Sequence, residues 1–441
     1  MRPTRIGHLP QNDKTNAWNT ILPERTPHAA LDGSVRADWL VVGAGYAGLA
    51  AARRLAEHRP DEKVVVLDAG ICGENASGRN SGFGIDTPHT TSSNLDQLDS
   101  AHAQMRLARA ALSYLEAQVT EHAIECDWAR DGKYQTAVTD AGSAAMLEPF
   151  AAELDALGEP YRWVRGSELH DKLGTAHFAH AVYTPGCILM NPAALTRGLA
   201  DTMPPSVAVH EESPVIEIDY RNGVQARTPG GEVRAPRMIL AANGFSEQFG
   251  FHQNKFIHLG LNASLSRPLT DAEAAVFGVE RPWGVTPANA FGGITMRYTP
   301  DRRLLIRENI EVNEDRRTPD FRLKDTAKRH KALFDHRFPQ LPEVSMENTW
   351  TGYICMSRNG APAFGRVASN VWIAACQNGV GVTKATVSGM LAADMACGVE
   401  TPLIEDMLSL GSPDNLPARP LAAIGSRAYL AWETWKNRHE A

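Results

Sequence analysis

This sequence predicts an α/β fold (α+β over the whole chain), with a second, mixed-sheet domain beside a doubly wound one. Three observations predict it. An apolar strand, Trp39-Leu-Val-Val42, runs into Gly43-x-Gly45-x-x-Gly48 and then a helix of small residues, Leu49 to Ala52. A second strand, Lys63-Val-Val-Val-Leu-Asp68, ends in an acid twenty residues past the last of those glycines. Strand-to-glycine turns recur at Arg237–Gly244 and Val371–Gly381, so the same pattern opens the chain and closes it.

The first unit describes a Rossmann-like dinucleotide pocket. Gly43 permits a tight turn, Gly45 lets backbone approach a pyrophosphate, and Gly48 lets helix and strand pack closely. The helix start, at Tyr46 and Ala47, offers free N–H groups and partial positive charge to phosphates. Asp68, with Ala69 behind it, stands where a carboxylate grips a ribose hydroxyl. A dinucleotide-binding sensor without catalysis would need this unit alone.

The other elements follow in order. Residues 1–35 are polar and proline-containing without periodicity, and read as an arm crossing this protein's surface or a partner subunit. A glycine- and asparagine-rich loop, Gly73 to Gly84, follows the first βαβ unit. Residues 95–122 read as a long helix with Leu95, Leu98, Met105, Leu107, Leu112 and Leu115 on one side. Residues 124–185 mix short helices and strands. Asn191 and Pro192 open a helix to Asp201. Strands are expected at 214–219, 237–242, 294–298, 303–307 and 371–375, and helices near 324–336 and up to Cys397. The implied organisation is an arm (1–35), a discontinuous nucleotide domain (36–94 with 186–250 and 348–441) and a substrate domain (95–185 with 251–347).

Composition narrows the partners. Of 441 residues, 22% are charged and 43% hydrophobic, and the net charge of −7 disfavours nucleic acid or an anionic membrane. Six scattered cysteines without a C-x-x-C pair argue against a disulfide scaffold or zinc site and fit a reducing, cytoplasmic setting. The basic start lacks the apolar run of a secretory signal, and no stretch is long and apolar enough to span a bilayer. The stretch Ile424–Trp435 is amphipathic, with Tyr429, Leu430, Trp432 and Trp435, and either packs on its own domain or docks peripherally on a membrane.

Four landmarks, in order across nearly the whole chain, carry a family resemblance. They are Gly43–Gly48 with Asp68; Ala76-Ser-Gly-Arg-Asn-Ser-Gly82; Ile239-Leu-Ala-Ala-Asn-Gly244; and Asn378-Gly-Val-Gly381. With them the chain resembles the D-amino-acid-oxidase-like (DAO) family of FAD-dependent oxidoreductases, and within it the gamma-glutamylputrescine oxidoreductase-like branch. The resemblance implies a glycine oxidase/sarcosine oxidase-like fold and FAD as cofactor. It assigns the pyrophosphate side to Ser77, Gly78, Arg79, Asn80 and Ser81, with Arg79 either pairing a phosphate or substrate charge or solvated in its loop. Backbone at Val215 would meet adenine, and Ala242 and Gly244 would let the third strand turn away beside the dinucleotide. Asn378, Gly379, Val380, Gly381, Val382 and Thr383 would set a helix N-terminus at the pyrimidine end of the flavin, where its dipole favours the charge of the reduced ring. The plain alternative is a strand-to-helix connection.

The chain departs from the family at the substrate. Glycine-oxidase-like members carry a carboxylate-binding arginine in a Trp-x-Gly-x-Arg-Pro stretch. Here Trp350, Gly352, Gly360, Pro362 and Gly365 align, but Ile354 holds the arginine position. A carboxylate buried there would lack its bidentate partner. An amine, or an amino acid held elsewhere, is therefore preferred. Arg307 lies near where sarcosine-oxidase-like members place an oxygen-activating lysine, and Lys384 lies one position from a carboxylate-binding lysine; both are candidate catalytic residues. Arg297 and Arg358 are candidate substrate contacts. Arg297 and Arg307 could equally be exposed strand charges, and Lys384 a surface lysine of a first helical turn. Cys355 aligns loosely with a flavin-attaching cysteine, yet the following Met-Ser-Arg differs, so a buried thiol and non-covalent FAD are expected.

The reading is an FAD-dependent oxidoreductase that oxidises the C–N bond of a small amine or amino acid. Hydride passes to flavin N5, the imine hydrolyses, and oxygen or another acceptor reoxidises the flavin. Alternatives are a dehydrogenase serving a quinone or protein acceptor, and a biosynthetic flavoprotein modifying a carrier-attached amine. The oligomeric state is left open. No metal cluster, nucleophilic triad or carboxylate pair stands out, and His252 and His258 read as core or surface residues.

Overall fold

The computed structural model describes residues 3–11, 13–88, 95–288 and 293–440. Its centre is a six-stranded sheet in the order Val207–His210, Val64–Leu67, Trp39–Val42, Arg237–Leu240, Val371–Ala375 and Ala363–Ala368. The first five run parallel and the last antiparallel. Each strand is apolar throughout where both faces are covered, as parallel sheets require. Trp39, Val41, Val64 and Val66 point to one side, into a core shared with helices Tyr46–His58 and Gly381–Cys397. Leu40, Val42, Val65 and Leu67 point to the other, against a five-stranded sheet containing Ile218, Val224 and Val233.

An eight-stranded sheet lies alongside. Its order is Met346–Met356, Ile257–Ser266, Leu304–Val312, Thr295–Tyr298, Trp283–Pro287, Lys133–Ala137, His180–Thr184 and Arg162–Arg165. All its pairings are antiparallel except that of Trp283–Pro287 with Lys133–Ala137. Phe334 of helix Asp320–Arg337 and the following Phe338 seal one face together with Met296, Leu304 and Ile306. The helix opened by Asn191 runs Pro192–Asp201, and the Asn191 side chain accepts from the Ala193 and Ala194 amides.

Two elements pack across the expected domain boundaries. The strand Met346–Met356 pairs with Ile257–Ser266 along its length and so belongs to the eight-stranded sheet, not to the nucleotide domain from residue 348. The helix Leu98–Glu121 packs Leu107 and Ala111 against Val387, Leu391 and Met407, and Leu112 and Leu115 over the parallel sheet, so it sides with the nucleotide half. Periodicity identifies an apolar face without naming its partner. Leu95, assigned to that face, precedes the helix in a short 3₁₀ turn and is 54% exposed.

The arm crosses its own chain. Thr4–Arg5 pairs antiparallel with Glu217–Asp219, Ala17–Thr20 forms a short helix with Trp18 buried, and Gly33–Arg36 runs parallel to Gly231–Ala235. The C-terminal helix Arg419–Lys436 turns Leu430 and Glu433 inward and leaves Leu421, Ile424, Trp432 and Trp435 exposed. Its apolar stripe is therefore not the face packed on its own domain. Among the described residues no helix is long and apolar enough to cross a membrane.

Candidate active site

A groove opens at the carboxyl ends of the central strands, where ligands sit in open α/β sheets. Of the residues singled out in the sequence, Gly43, Gly45, Asp68, Ala69, Ser77, Arg79, Val215, Ala242 and Gly244 line it. Gly43 has φ +108°, and a Cβ there would stand 2.6 Å from the Ala241 carbonyl oxygen. A Cβ on Gly48 would stand 1.7 Å from the Gly43 oxygen, so the helix can lie this close only without a side chain. Asp68 accepts from the Ala44 amide at 2.6 Å and the Gly70 amide at 2.8 Å. Burial pushes its carboxyl above the ordinary range, and those two amides pull it back in part. Asp68 thus holds the glycine turn while it faces the groove.

The 73–82 loop differs in detail from expectation. The Ser77 hydroxyl accepts from the Tyr46 amide at 3.1 Å, so that first helical N–H is already satisfied. Arg79 is buried and paired: it contacts Asp13 of the arm and donates to the Thr351 carbonyl at 3.0 Å and the Glu74 carbonyl at 2.5 Å. Its charge is balanced within the chain and it is buried, which corrects the reading of it as a solvated loop cation. Asn80 donates to the Ser77 carbonyl and accepts from the Gly82 amide, which stiffens the loop.

A second cavity adjoins the groove, and Ala76, Arg79, Tyr353 and Ile354 line both. Asn80, Ser81, Thr286, Thr295 and Arg307 face it, as do Gly379, Val380, Gly381 and Val382. The helix Gly381–Cys397 therefore starts at this cavity and presents its positive end there. Arg307 donates to the Thr295 hydroxyl at 2.6 Å, while its other terminal nitrogen, Nη1, is buried without a partner. Burial lowers the guanidinium to about 10, which leaves it cationic at neutral pH. It is not an exposed strand charge.

Several sequence candidates fall elsewhere. Arg297 is 1% exposed and donates to the carbonyls of Ser81, Gly82 and Met190, so it braces the loop from behind and lines neither cavity. Arg358 lies on an exposed turn away from both. Lys384 lines neither and is half-buried in the first turn of its helix, where burial lowers its ammonium to about 8. Asn378 spends its amide on the Gly360, Ala361 and Cys376 carbonyls and its oxygen on the Ser357 amide, which makes it the strut of its turn. Tyr46, Ala47, Gly48, Gly78 and Thr383 pack behind the lining. Cys355 is buried with its thiol on Asn243 Oδ1 at 3.2 Å and in contact with Cys376, and it lines neither cavity. His258 is a core residue bonded to Glu247 at 3.0 Å.

Other lining residues carried no sequence signal. Tyr353 sits beside the substituted Ile354, and only its neighbourhood was marked. Arg316, 8% exposed, lies in a loop without a motif. Ile6, His8, Leu9, Pro10 and Gln11 come from the aperiodic arm.

The family model described as DAO, FAD dependent oxidoreductase, matches residues 38–395. The chain belongs to this family. It is thus an FAD-dependent oxidoreductase, and its groove suits the dinucleotide: a side-chain-free glycine turn, a carboxylate at the end of the second strand and a helix N-terminus toward the adjoining cavity. Among curated relatives, a probable oxidoreductase OrdL of Haemophilus influenzae is 26% identical over 82% of this chain and 83% of its own length. The gamma-glutamylputrescine oxidoreductase of Escherichia coli is 26% identical over 84% and 86%. Among solved structures, glycine oxidase from Geobacillus kaustophilus superposes with TM-score 0.71 at 20% identity, over 87% of this chain and all (100%) of that one. L-amino acid deaminase from Proteus vulgaris does so with TM-score 0.66 at 16% identity, over 86% and 93%. These structural likenesses establish the DAO fold.

Proposed function

We propose that this protein oxidises the carbon–nitrogen bond of a small amine that also carries a carboxylate, giving an imine that hydrolyses to a carbonyl compound and ammonia or an amine. The single observation behind the carboxylate is Arg307: a half-buried cation facing the second cavity, with its Nη1 buried and unpartnered. A buried guanidinium nitrogen without an acceptor is costly, and a carboxylate is its natural partner. The relatives named for glycine, amino-acid and gamma-glutamylputrescine substrates support the amine.

Bound FAD would supply a two-electron acceptor for the C–H bond next to nitrogen. The chain's residues do the rest. Gly43, Gly45 and Ser77 would hold the pyrophosphate end, Asp68 a ribose hydroxyl and Val215 the adenine side, while Gly379–Val382 present amides toward the flavin end. Arg307, held by Thr295, would anchor the substrate carboxylate, and Ile354, Leu261, Ala263 and Phe83 supply apolar walls that keep water from the reacting carbon. This arrangement moves the carboxylate anchor from the position of Ile354, on strand Met346–Met356, to Arg307 on strand Leu304–Val312, two strands away in the same eight-stranded sheet. Oxygen or another acceptor closes the cycle.

Anaerobic mixing of the flavin-loaded protein with a panel of amines tests this. Amines bearing a carboxylate should bleach the flavin band, and their uncharged counterparts should do so far more weakly. Equal bleaching by both sets, or none by any member, would overturn the reading.

A further inference from the structure

We propose that the N-terminal arm is a working part of the cofactor site: a strap that forms the outer wall of the FAD groove and governs how fast the cofactor leaves. The arm precedes residue 38, so it lies outside the stretch the family model matches. It nevertheless contributes Ile6, His8, Leu9, Pro10 and Gln11 to the lining of the groove that also holds the glycine turn.

Its fastenings reach every side of that groove. At one end, the Ile6 amide donates to the Ile216 carbonyl at 2.9 Å, which extends the pairing of Thr4–Arg5 with the five-stranded sheet. Gln248 then clasps the backbone, accepting from the His8 amide at 2.8 Å and donating to the His8 carbonyl at 2.7 Å. His8 Nε2 donates to the Asp315 carbonyl at 2.7 Å, tying the arm to the loop that brings Arg316 into the groove. Farther on, Asp13 pairs with Arg79. The Asn16 amide donates to the Gly73 and Gly78 carbonyls at 2.9 and 3.0 Å, so the arm also holds the loop lining both cavities.

Arg316 adds an independent sign that something polar belongs beneath this strap. Its guanidinium stacks 4.2 Å from the Phe245 ring centroid and donates to the Gly244 carbonyl at 2.7 Å, yet its Nε is buried with no partner. A dinucleotide under the strap offers phosphate, hydroxyl or ring acceptors to such a group. Removing the strap would leave that ligand open to solvent along one edge, and losses of this kind appear mainly in the dissociation rate.

The inference rests on FAD as resident cofactor and not on the amine reading, and its test needs no substrate. Holoenzyme freed of unbound flavin is diluted into buffer, and released FAD is followed by its rise in fluorescence. Deletion of residues 1–11 removes the wall, Asp13→Asn removes the charge facing Arg79, and Gln248→Ala opens the clasp without altering the arm. The deletion should release FAD about ten-fold faster or more, and each point variant several-fold faster, with far-UV circular dichroism unchanged. If the deletion does not fold, the two point variants decide. Release within about two-fold of the parent in every folded variant would overturn the proposal.

Discussion

Two cations of the eight-stranded sheet, Arg307 half-buried and Lys133 buried, show how position decides the use of a charge. Arg307 faces a cavity with a hydrogen-bonding nitrogen to spare, and a charge-assisted bond there is worth about 1.5–3 kcal/mol. Arg307→Met should therefore raise KM for a carboxylate-bearing substrate about 10- to 100-fold, with the flavin spectrum intact. Steady-state kinetics on the loaded enzyme check this, and an unchanged KM would contradict the role. Lys133, 1% exposed, instead donates to Gln135 at 3.0 Å and Thr286 at 3.5 Å and lies over the Phe150 ring, and burial lowers its ammonium to about 8. Its folded value lies below its unfolded one, so the unfolded chain holds the extra proton between about pH 8 and 10.5, and stability rises with pH through that window. Below it the full cost of the buried charge applies. Lys133→Met should raise the melting temperature at pH 7, and the gain should shrink toward pH 10. A loss of equal size at both pH values would show the ammonium to be stabilising.

At the scale of elements, the helix Pro192–Asp201 is the clearest case of a boundary written in the chain. Asn191 caps it through two amides and also donates to the Trp18 carbonyl at 3.3 Å, so one side chain starts the helix and seats the arm. Asn191→Ala should cost about 1–2 kcal/mol, read as a lower denaturation midpoint at unchanged m-value. Local chemistry of this kind was legible: the glycine turn, the cap and the strand runs each state their own geometry. Partners were not. The face of Leu98–Glu121 was visible in its leucines, yet nothing in them named Val387 or Leu391 as neighbours. The strand Met346–Met356 carried its family-like glycines without revealing which sheet it joined. The helix Arg419–Lys436 was visibly amphipathic, but which side faced the protein depended on surfaces far away in sequence.

For the whole molecule, the groove was legible because its core is one continuous βαβ unit, whereas the second cavity is assembled from seven separated stretches. Arg307 could be noticed only by its resemblance to a known position, and Arg297 looked equally eligible until its guanidinium proved committed to three carbonyls. The arm was illegible for another reason: it has no periodicity of its own and takes its shape from Gln248, Arg79 and the sheet edge. Together these parts make a cofactor that is enclosed but not bonded, since the Cys355 thiol is turned into the core against Asn243 and Cys376. Bound FAD should accordingly stabilise the fold by mass action, by about 2.7 kcal/mol at a hundred-fold excess over Kd. The most direct test is acid precipitation of the purified, yellow protein. FAD should appear intact in the clear supernatant over a colourless pellet. A protein that carries and takes up no flavin, or a pellet that keeps the yellow colour, would contradict this account.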